Sequence, residues 1–473
     1  MDTREFRESG HRIVDYLADY LGRVEEEPLL RPSDPGELRR LFDEPIPPGE
    51  SSIESVLLEL NEKLLPYCTQ VNHPGYFGLI TPSPLPVGIL GDFIASALNQ
   101  NLGVYSIGPS AVALERRTVR WLADLAAYGP GAGGNLTSGG MMANLIGLKL
   151  ARDWASRDTA QHEGMPERYA AYTSEERHVA IDKSADIVGI GRDSLRILPT
   201  DARFEIRLDA LEAALEEDRR QGIRPMAIIA MGGSTNTGAV DPLPELRTIA
   251  DRVGAWLHVD AAYGGGMLLS RRRDEVLRGL ELADSLAIDP HKWFYAPLDA
   301  GAILVKDESR LTRSFGMQPA YLADPLGADP DRHDYYLHGL EQSRRFRGLK
   351  VWMGFKRYGT KKMGGWIDAN VDQAMRLYEL ASGHPDFEPA VRPRMSAFCV
   401  RYLPAGEDET ARRLHAEVAR RIEQGGRFWI STTHLKGRTW FRINPVNFRT
   451  RLEHMDELFD LLVAECTSAR ARA

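Results

Sequence analysis

The stretch Met226–Val259, MAIIAMGGSTNTGAVDPLPELRTIADRVGAWLHV, decides the fold. MAIIAM is a short apolar strand and GGSTNTGAVD is a turn. Asp241-Pro242 reads as a helix cap followed by proline at the first helical position, and the helix it opens stops at Gly254. AWLHV is the next strand. Strand, helix and strand of this length imply a parallel pair joined by a right-handed crossover. Similar strand signals at Arg177–Ile181 and Ser285–Ile288 extend the pattern. The central region therefore reads as α/β, with a mostly parallel sheet and helices on both faces.

Outward from this centre the pattern changes. Residues 4–22 carry Phe6, Ile13, Val14, Leu17 and Leu21 at helical spacing, and 53–65 are helical again. Between them Pro28, Pro32, Pro35, Pro45, Pro47 and Pro48 forbid a single regular element. From about residue 360 the chain reads as a smaller α+β piece, with strands near Phe398 and Phe441 and helices at Glu409–Gln424 and Leu452–Glu465. The expected organisation is an N-terminal helical arm over 1–70, a large α/β domain over 71–360 and a small α+β domain over 361–473.

Composition excludes several classes. A formal net charge of −8 and no basic stripe argue against a nucleic-acid partner. The first residues, MDTREFRESG, lack the apolar core of a signal peptide, and no run approaches about 18 uninterrupted apolar residues. Cys68, Cys399 and Cys466 are far apart, which supports neither a disulfide framework nor a zinc site. A soluble protein of the cytoplasm, with no membrane partner and no metal, is the expectation.

Ligands of open parallel sheets gather at the carboxyl ends of the strands. After AWLHV come Asp260, Ala261, Ala262 and Tyr263, and after SLAI come Asp289, Pro290, His291, Lys292 and Trp293. An acid and a lysine at neighbouring strand ends are what a pyridoxal-5'-phosphate (PLP) site needs: the lysine forms the imine and the acid pairs with the pyridinium nitrogen. Alone, Asp260 reads as easily as a turn cap and Lys292 as an exposed loop residue; their order and contexts make the joint coincidence improbable. A phosphate seat is offered by TSGGMMANLIGLKLA at 137–151, where Gly139 and Gly140 open a helix whose backbone N–H groups can face an anion. The Gly189 and Gly191 pair lacks the third glycine of a dinucleotide fingerprint and reads as a turn.

HVDAAYGGG followed by DPHKW resembles the group II PLP-dependent decarboxylases of the aromatic-L-amino-acid decarboxylase family. TSGGxxANL, HPGYFGLITPSP and RRFRGLKVW match the same family, in one order over nearly the whole chain. The resemblance implies a fold-type I PLP enzyme: a mostly parallel seven-stranded sheet flanked by helices, in a homodimer whose N-terminal helices pack across the partner. It implies Lys292 as the Schiff-base lysine, Asp260 as the pyridinium partner, Ala262 beneath the ring and His178 stacked on the other face. Gly139, Gly140 and Met141 fall on the phosphate loop, Thr235 close to the ring, and Asp289 and His291 beside the lysine. Thr81, Pro82, His291 and Arg345 are carried over as substrate-binding positions, and Tyr321, in QPAYLADPLGADP, as the tyrosine of a mobile catalytic loop.

Three departures stand out. Met141 replaces a hydroxyl residue that contacts the phosphate. Asp289 replaces the asparagine of some members, placing a second acid near the phosphate. Asn101 and Gly103 replace larger apolar groups, implying a roomier or more polar pocket. The implied activity is α-decarboxylation of an L-amino acid, aromatic in side chain, to its amine and CO2. Three alternatives stay open: decarboxylation coupled to O2-dependent formation of an aldehyde, which relatives achieve with Phe in place of the loop tyrosine; an acidic or diamino substrate; and a silent paralogue with a binding role.

Overall fold

The computed structural model describes residues 2–165, 167–319, 332–406 and 409–472. They form two compact units, one of residues 80–375 with 391–398 and one of residues 1–79, 376–390 and 399–473.

The first unit is built on a sheet of seven strands: β1 (Gly133–Thr137), β2 (Tyr169–Ser174), β3 (Leu195–Leu198), β4 (Arg224–Met231), β5 (Trp256–Asp260), β6 (Ser285–Ile288) and β7 (Gly301–Val305). Their order is β1-β7-β6-β5-β4-β2-β3. The run β6-β5-β4-β2-β3 is parallel, and β7 is antiparallel to both of its neighbours. The sheet is thus mostly parallel, as expected. β5 and β6 are buried along their whole length, as strands covered on both faces must be. The helix Gly140–Ala155 packs across β4 to β7. With the helix Val179–Ile187 it encloses a core of Ile146, Leu150, Ile181, Ala185, Ile229 and Ile303.

The deciding stretch folds as read. β4 leads to the helix Leu243–Val253, which ends where Gly254 adopts the left-handed conformation (φ 70°), and β5 returns parallel to β4. Two details differ. The segment 177–181 is not a strand. The strand is the preceding YAAYTS, wholly buried, while His178 caps the helix Val179–Ile187. Ala180, Ile181, Ser184 and Ala185 are buried there, a helical repeat, and Val179 is left exposed. Asp241 does not cap the helix that follows it. Its carboxylate turns inward and accepts the backbone N–H groups of Ile206 (2.8 Å) and Met231 (2.7 Å).

The second unit holds a four-stranded sheet in the order β10-β11-β9-β8, of β8 (Phe387–Pro389), β9 (Phe398–Tyr402), β10 (Ser431–Leu435) and β11 (Arg438–Ile443). It also holds the helices Glu409–Gln424 and Glu453–Arg472 and the N-terminal helix Thr3–Arg23, whose first N–H groups are capped by Asp2. The proline-rich stretch contains one short helix, Pro35–Leu41, opened by Asp34.

Candidate active site

Pairing in register brings Met231 of β4 level with Asp260 of β5, and Asp260 level with Ala287 of β6. The turns leaving these strand ends meet the N-terminus of the helix Gly140–Ala155 around a cavity of about 270 Å³. Gly139, Gly140, Met141, His178, Thr235, Asp260, Ala262, Asp289, His291 and Lys292 all line it. A larger cavity of about 700 Å³, lined by Arg203, Glu205, Arg272 and Arg394 among others, contains no lysine. The smaller one is the candidate site because it pairs a lysine with carboxylates at strand ends.

Asp260 ends β5. One carboxylate oxygen accepts the N–H of Ala262 (3.0 Å) and the other accepts the side-chain amide of Asn144 (2.9 Å). Lys292 sits in a tight turn closed by its own N–H on the carbonyl of Asp289 (2.9 Å), and its Nζ lies 3.0 Å from the Asp289 carboxylate. Asp289 is 2% exposed, and its Oδ1 has no hydrogen-bond partner among the described residues. The second acid beside the phosphate loop is therefore offset by the lysine. His291 is held through Nδ1, which accepts the N–H of Ala300 (3.1 Å). His178 Nδ1 accepts the N–H of Ala180 (3.1 Å), so helix capping fixes its ring. Burial lowers the pKa of both histidines; for His178 the nearby Asp260 opposes the shift and Lys292 adds to it.

The phosphate loop is shaped by missing side chains. A Cβ on Gly140 would lie 2.8 Å from both the Ala262 Cβ and an Asp289 oxygen, and Gly139 has φ +152°. The open space faces the first turn of a helix, where N–H groups lack intrahelical partners. Met141 offers no hydroxyl, but Ser138, which the sequence reading passed over, lines the same cavity.

Other expected residues are not among those that line it. Thr81 and Pro82 do not line the cavity. Arg345 is half exposed and pairs with Asp92 (3.1 Å). Its neighbour Arg344 is the buried one, paired with Glu115 (2.8 Å) and donating to the carbonyl of Leu136 (2.7 Å). Asn101 is engaged in backbone contacts, accepting the N–H of Gly103 (3.0 Å) and of Arg344 (2.9 Å). Gly103 is required because a Cβ would stand 1.9 Å from the Gln342 carbonyl. Tyr321 lies outside the described residues.

A strand-end lysine, a buried carboxylate and a glycine-opened helix N-terminus around one cavity define a site for an aldehyde cofactor bearing a phosphate. Residues 35–403 match the model of the pyridoxal-dependent decarboxylase conserved domain. An aromatic-L-amino-acid decarboxylase of Bacillus atrophaeus is 31% identical over 96% of this chain and 94% of its own. A phenylacetaldehyde synthase of Arabidopsis thaliana is 30% identical over 99% of this chain and 97% of its own. The crystal structure of Oryza sativa TDC with PLP and tryptamine superposes with a TM-score of 0.93 at 28% identity, covering 99% of both chains. The chain belongs to the pyridoxal-dependent decarboxylase family; it is a PLP-dependent carboxy-lyase.

Proposed function

We propose that this protein decarboxylates an aromatic L-amino acid to the corresponding amine and CO2, with Lys292 and Asp260 as its central residues. The observation that carries the reading is their convergence on one cavity, in a chain aligned almost end to end with an aromatic-L-amino-acid decarboxylase.

The residues present fit PLP. Lys292 would hold it covalently, Asp260 would hold its ring nitrogen, and Gly139, Gly140 and Ser138 would seat its phosphate. Ala262 and His178 would bracket the ring, with Thr235 and His291 at its edge. When bound, PLP supplies an electron-withdrawing ring that takes up the electron pair left on Cα as CO2 departs. The carboxylate of Asp260 keeps a proton on the ring nitrogen. Burial lowers the pKa of His178 and so favours the neutral ring, which would stack on the cofactor. Asp289, 3.0 Å from Nζ of Lys292, would hold the lysine amine in place whenever it is not bonded to the cofactor.

Tyr321 decides between the two products. Its phenol would deliver a proton to Cα, giving the amine. The aldehyde-forming reading is kept because a phenylacetaldehyde synthase is 30% identical over 99% of this chain. Tyr321→Phe should still release CO2 but shift the product toward aldehyde, ammonia and peroxide. Amine formation at the parental rate without peroxide would end this role for Tyr321. A panel of aromatic, acidic and diamino L-amino acids, assayed for CO2, amine, ammonia and peroxide, tests the function as a whole. Turnover confined to acidic or diamino substrates, or peroxide in step with CO2 from the parent enzyme, would overturn it.

We further read the protein as a cytoplasmic homodimer in which residues 1–70 pack on the partner, 71–360 bind the cofactor and 361–473 form the small domain. Phe6, Val14 and Leu17 on the first helix, and Leu90, Phe93, Ile94 and Leu98 on the helix Pro86–Leu98, are exposed apolar side chains that a partner would cover. Three free cysteines suit a reducing compartment. Arg345, Thr81 and Pro82 stay proposed as substrate-binding positions.

A further inference from the structure

From Asp260 a file of side chains leads back into the sheet. The Nδ2 of Asn144 donates to Asp260 (2.9 Å), and the Oδ1 of Asn144 lies 2.8 Å from Nε2 of His258. The Nδ1 of His258 lies 2.8 Å from Oγ of Ser285, which also accepts the indole N–H of Trp256 (2.8 Å). Asn144, His258 and Ser285 are at most 1% exposed, and Trp256 is 4%. Three elements assemble the file. Trp256, His258 and Asp260 alternate along one face of β5, Ser285 of β6 stands in register with His258, and Asn144 comes from the helix Gly140–Ala155. One turn along that helix, Gly147 makes room for the imidazole: a Cβ there would lie 2.4 Å from His258 Cε1.

The chemistry of the two ends fixes every proton between them. A carboxylate can only accept, so Asn144 gives Asp260 its Nδ2 hydrogen and is left with Oδ1 to accept from Nε2 of His258; the other nitrogen of the neutral ring then accepts the hydroxyl hydrogen of Ser285, whose oxygen accepts the indole N–H of Trp256. The histidine then carries its proton on Nε2 and donates to Asn144, whose amide donates to Asp260. Burial lowers the pKa of His258 to about 4, so the ring is neutral and can be acceptor at one nitrogen and donor at the other. All the bonds point toward the carboxylate, and bonds in series polarise one another.

We propose that Asn144, His258 and Ser285 are positioning residues that aim and polarise Asp260 at the cofactor's ring nitrogen, setting the strength of the electron sink from a chain rooted at Trp256. This rests on Asp260 as the ring-nitrogen partner. A purely structural file would satisfy buried groups and stabilise the fold, but it would not distinguish a cofactor with a ring nitrogen from one without.

The test loads the apoprotein with PLP or with its analogue in which C–H replaces the ring nitrogen, and measures both dissociation constants by quenching of tryptophan fluorescence. The parent should prefer PLP by about tenfold or more, as a charge-assisted bond at that atom implies. Asp260→Ala should abolish the preference. Asn144→Ala should reduce it below about threefold and Ser285→Ala to an intermediate value, with binding of the analogue unchanged. In the loaded enzyme the Asn144 and Ser285 variants should lower kcat and leave KM unaltered. If Asn144→Ala does not fold, Ser285→Ala, which removes one hydroxyl, carries the same test. Parental preference in both chain variants, with the preference lost in Asp260→Ala, would overturn the proposal and leave Asp260 in its role. A preference that survives Asp260→Ala would overturn the Asp260 assignment itself.

Discussion

Asp241 and Asp260 are buried carboxylates at the same end of the sheet, one beside the last residue of β4 and the other closing β5. Asp241 gives both oxygens to backbone amides, those of Ile206 and Met231, and joins two loops that must return to the sheet. Burial pushes its pKa up to about 7 against the pull of those two amides. Asp260 takes one amide of the backbone and one of a side chain, and it faces a cavity that also holds Lys292. Burial is common to both. What separates a structural acid from a chemical one is the coordination left over for a ligand, and whether the groups that hold the acid can themselves be tuned.

The largest effect expected from this contrast is at Lys292. Lys292→Ala should remove measurable turnover and the visible absorbance of the lysine-linked cofactor, while PLP can still bind noncovalently. An unchanged spectrum would refute the assignment. Next is Asp260→Asn, which keeps the shape but cannot keep a proton on the ring nitrogen. We expect kcat to fall about 100-fold or more with little change in melting temperature. Near-parental kcat would put Asp260 in the same class as Asp241.

Asp241→Ala should show the reverse pattern. Two buried N–H groups lose their acceptor, at about 1–3 kcal/mol each, so the melting temperature falls while the folded fraction keeps its kcat. The sign of the pH dependence follows from the raised pKa. An acid that holds its proton more tightly in the fold than its ordinary value of 3.8 stabilises the fold at low pH, and that contribution is lost as pH rises through about 7. Between pH 5 and pH 8 the parent should lose stability through this group, and Asp241→Ala should lose less. An equal loss of unfolding free energy in parent and variant between the two pH values, read from denaturant titrations, would show that Asp241 is already ionised in the fold at pH 5.

The same pair marks what the sequence could and could not convey. β4, the helix after it and β5 were legible because their apolar runs, the Asp-Pro and the terminal Gly254 are local signals. That Lys292 and Asp260 would meet at one cavity was legible because strand ends are where ligands gather. The fate of Asp241 was hidden, since a carboxylate before proline caps helices as a rule, and the backbone amides that turn it inward belong to Met231 and to Ile206, 35 residues upstream. YAAYTS escaped notice because alanine is a weak strand former, and the more apolar HVAI beside it drew the strand reading. Nothing local tells which of Arg344 and Arg345 points inward. Asn144 and Ser138 lay within a motif read for its glycines alone. The file from Trp256 to Asn144 joins three elements, and its alternation W-x-H-x-D along β5 gains meaning only when Ser285 and Asn144 are seen opposite.

Every role proposed for this site depends on Lys292 holding the cofactor. Borohydride reduction of the PLP-loaded enzyme, followed by proteolysis and mass spectrometry, tests it most directly. One pyridoxyl group per chain is expected, on the peptide containing DPHKW, at Lys292. A stable label on any other lysine, or none on a protein that retains activity, would contradict it.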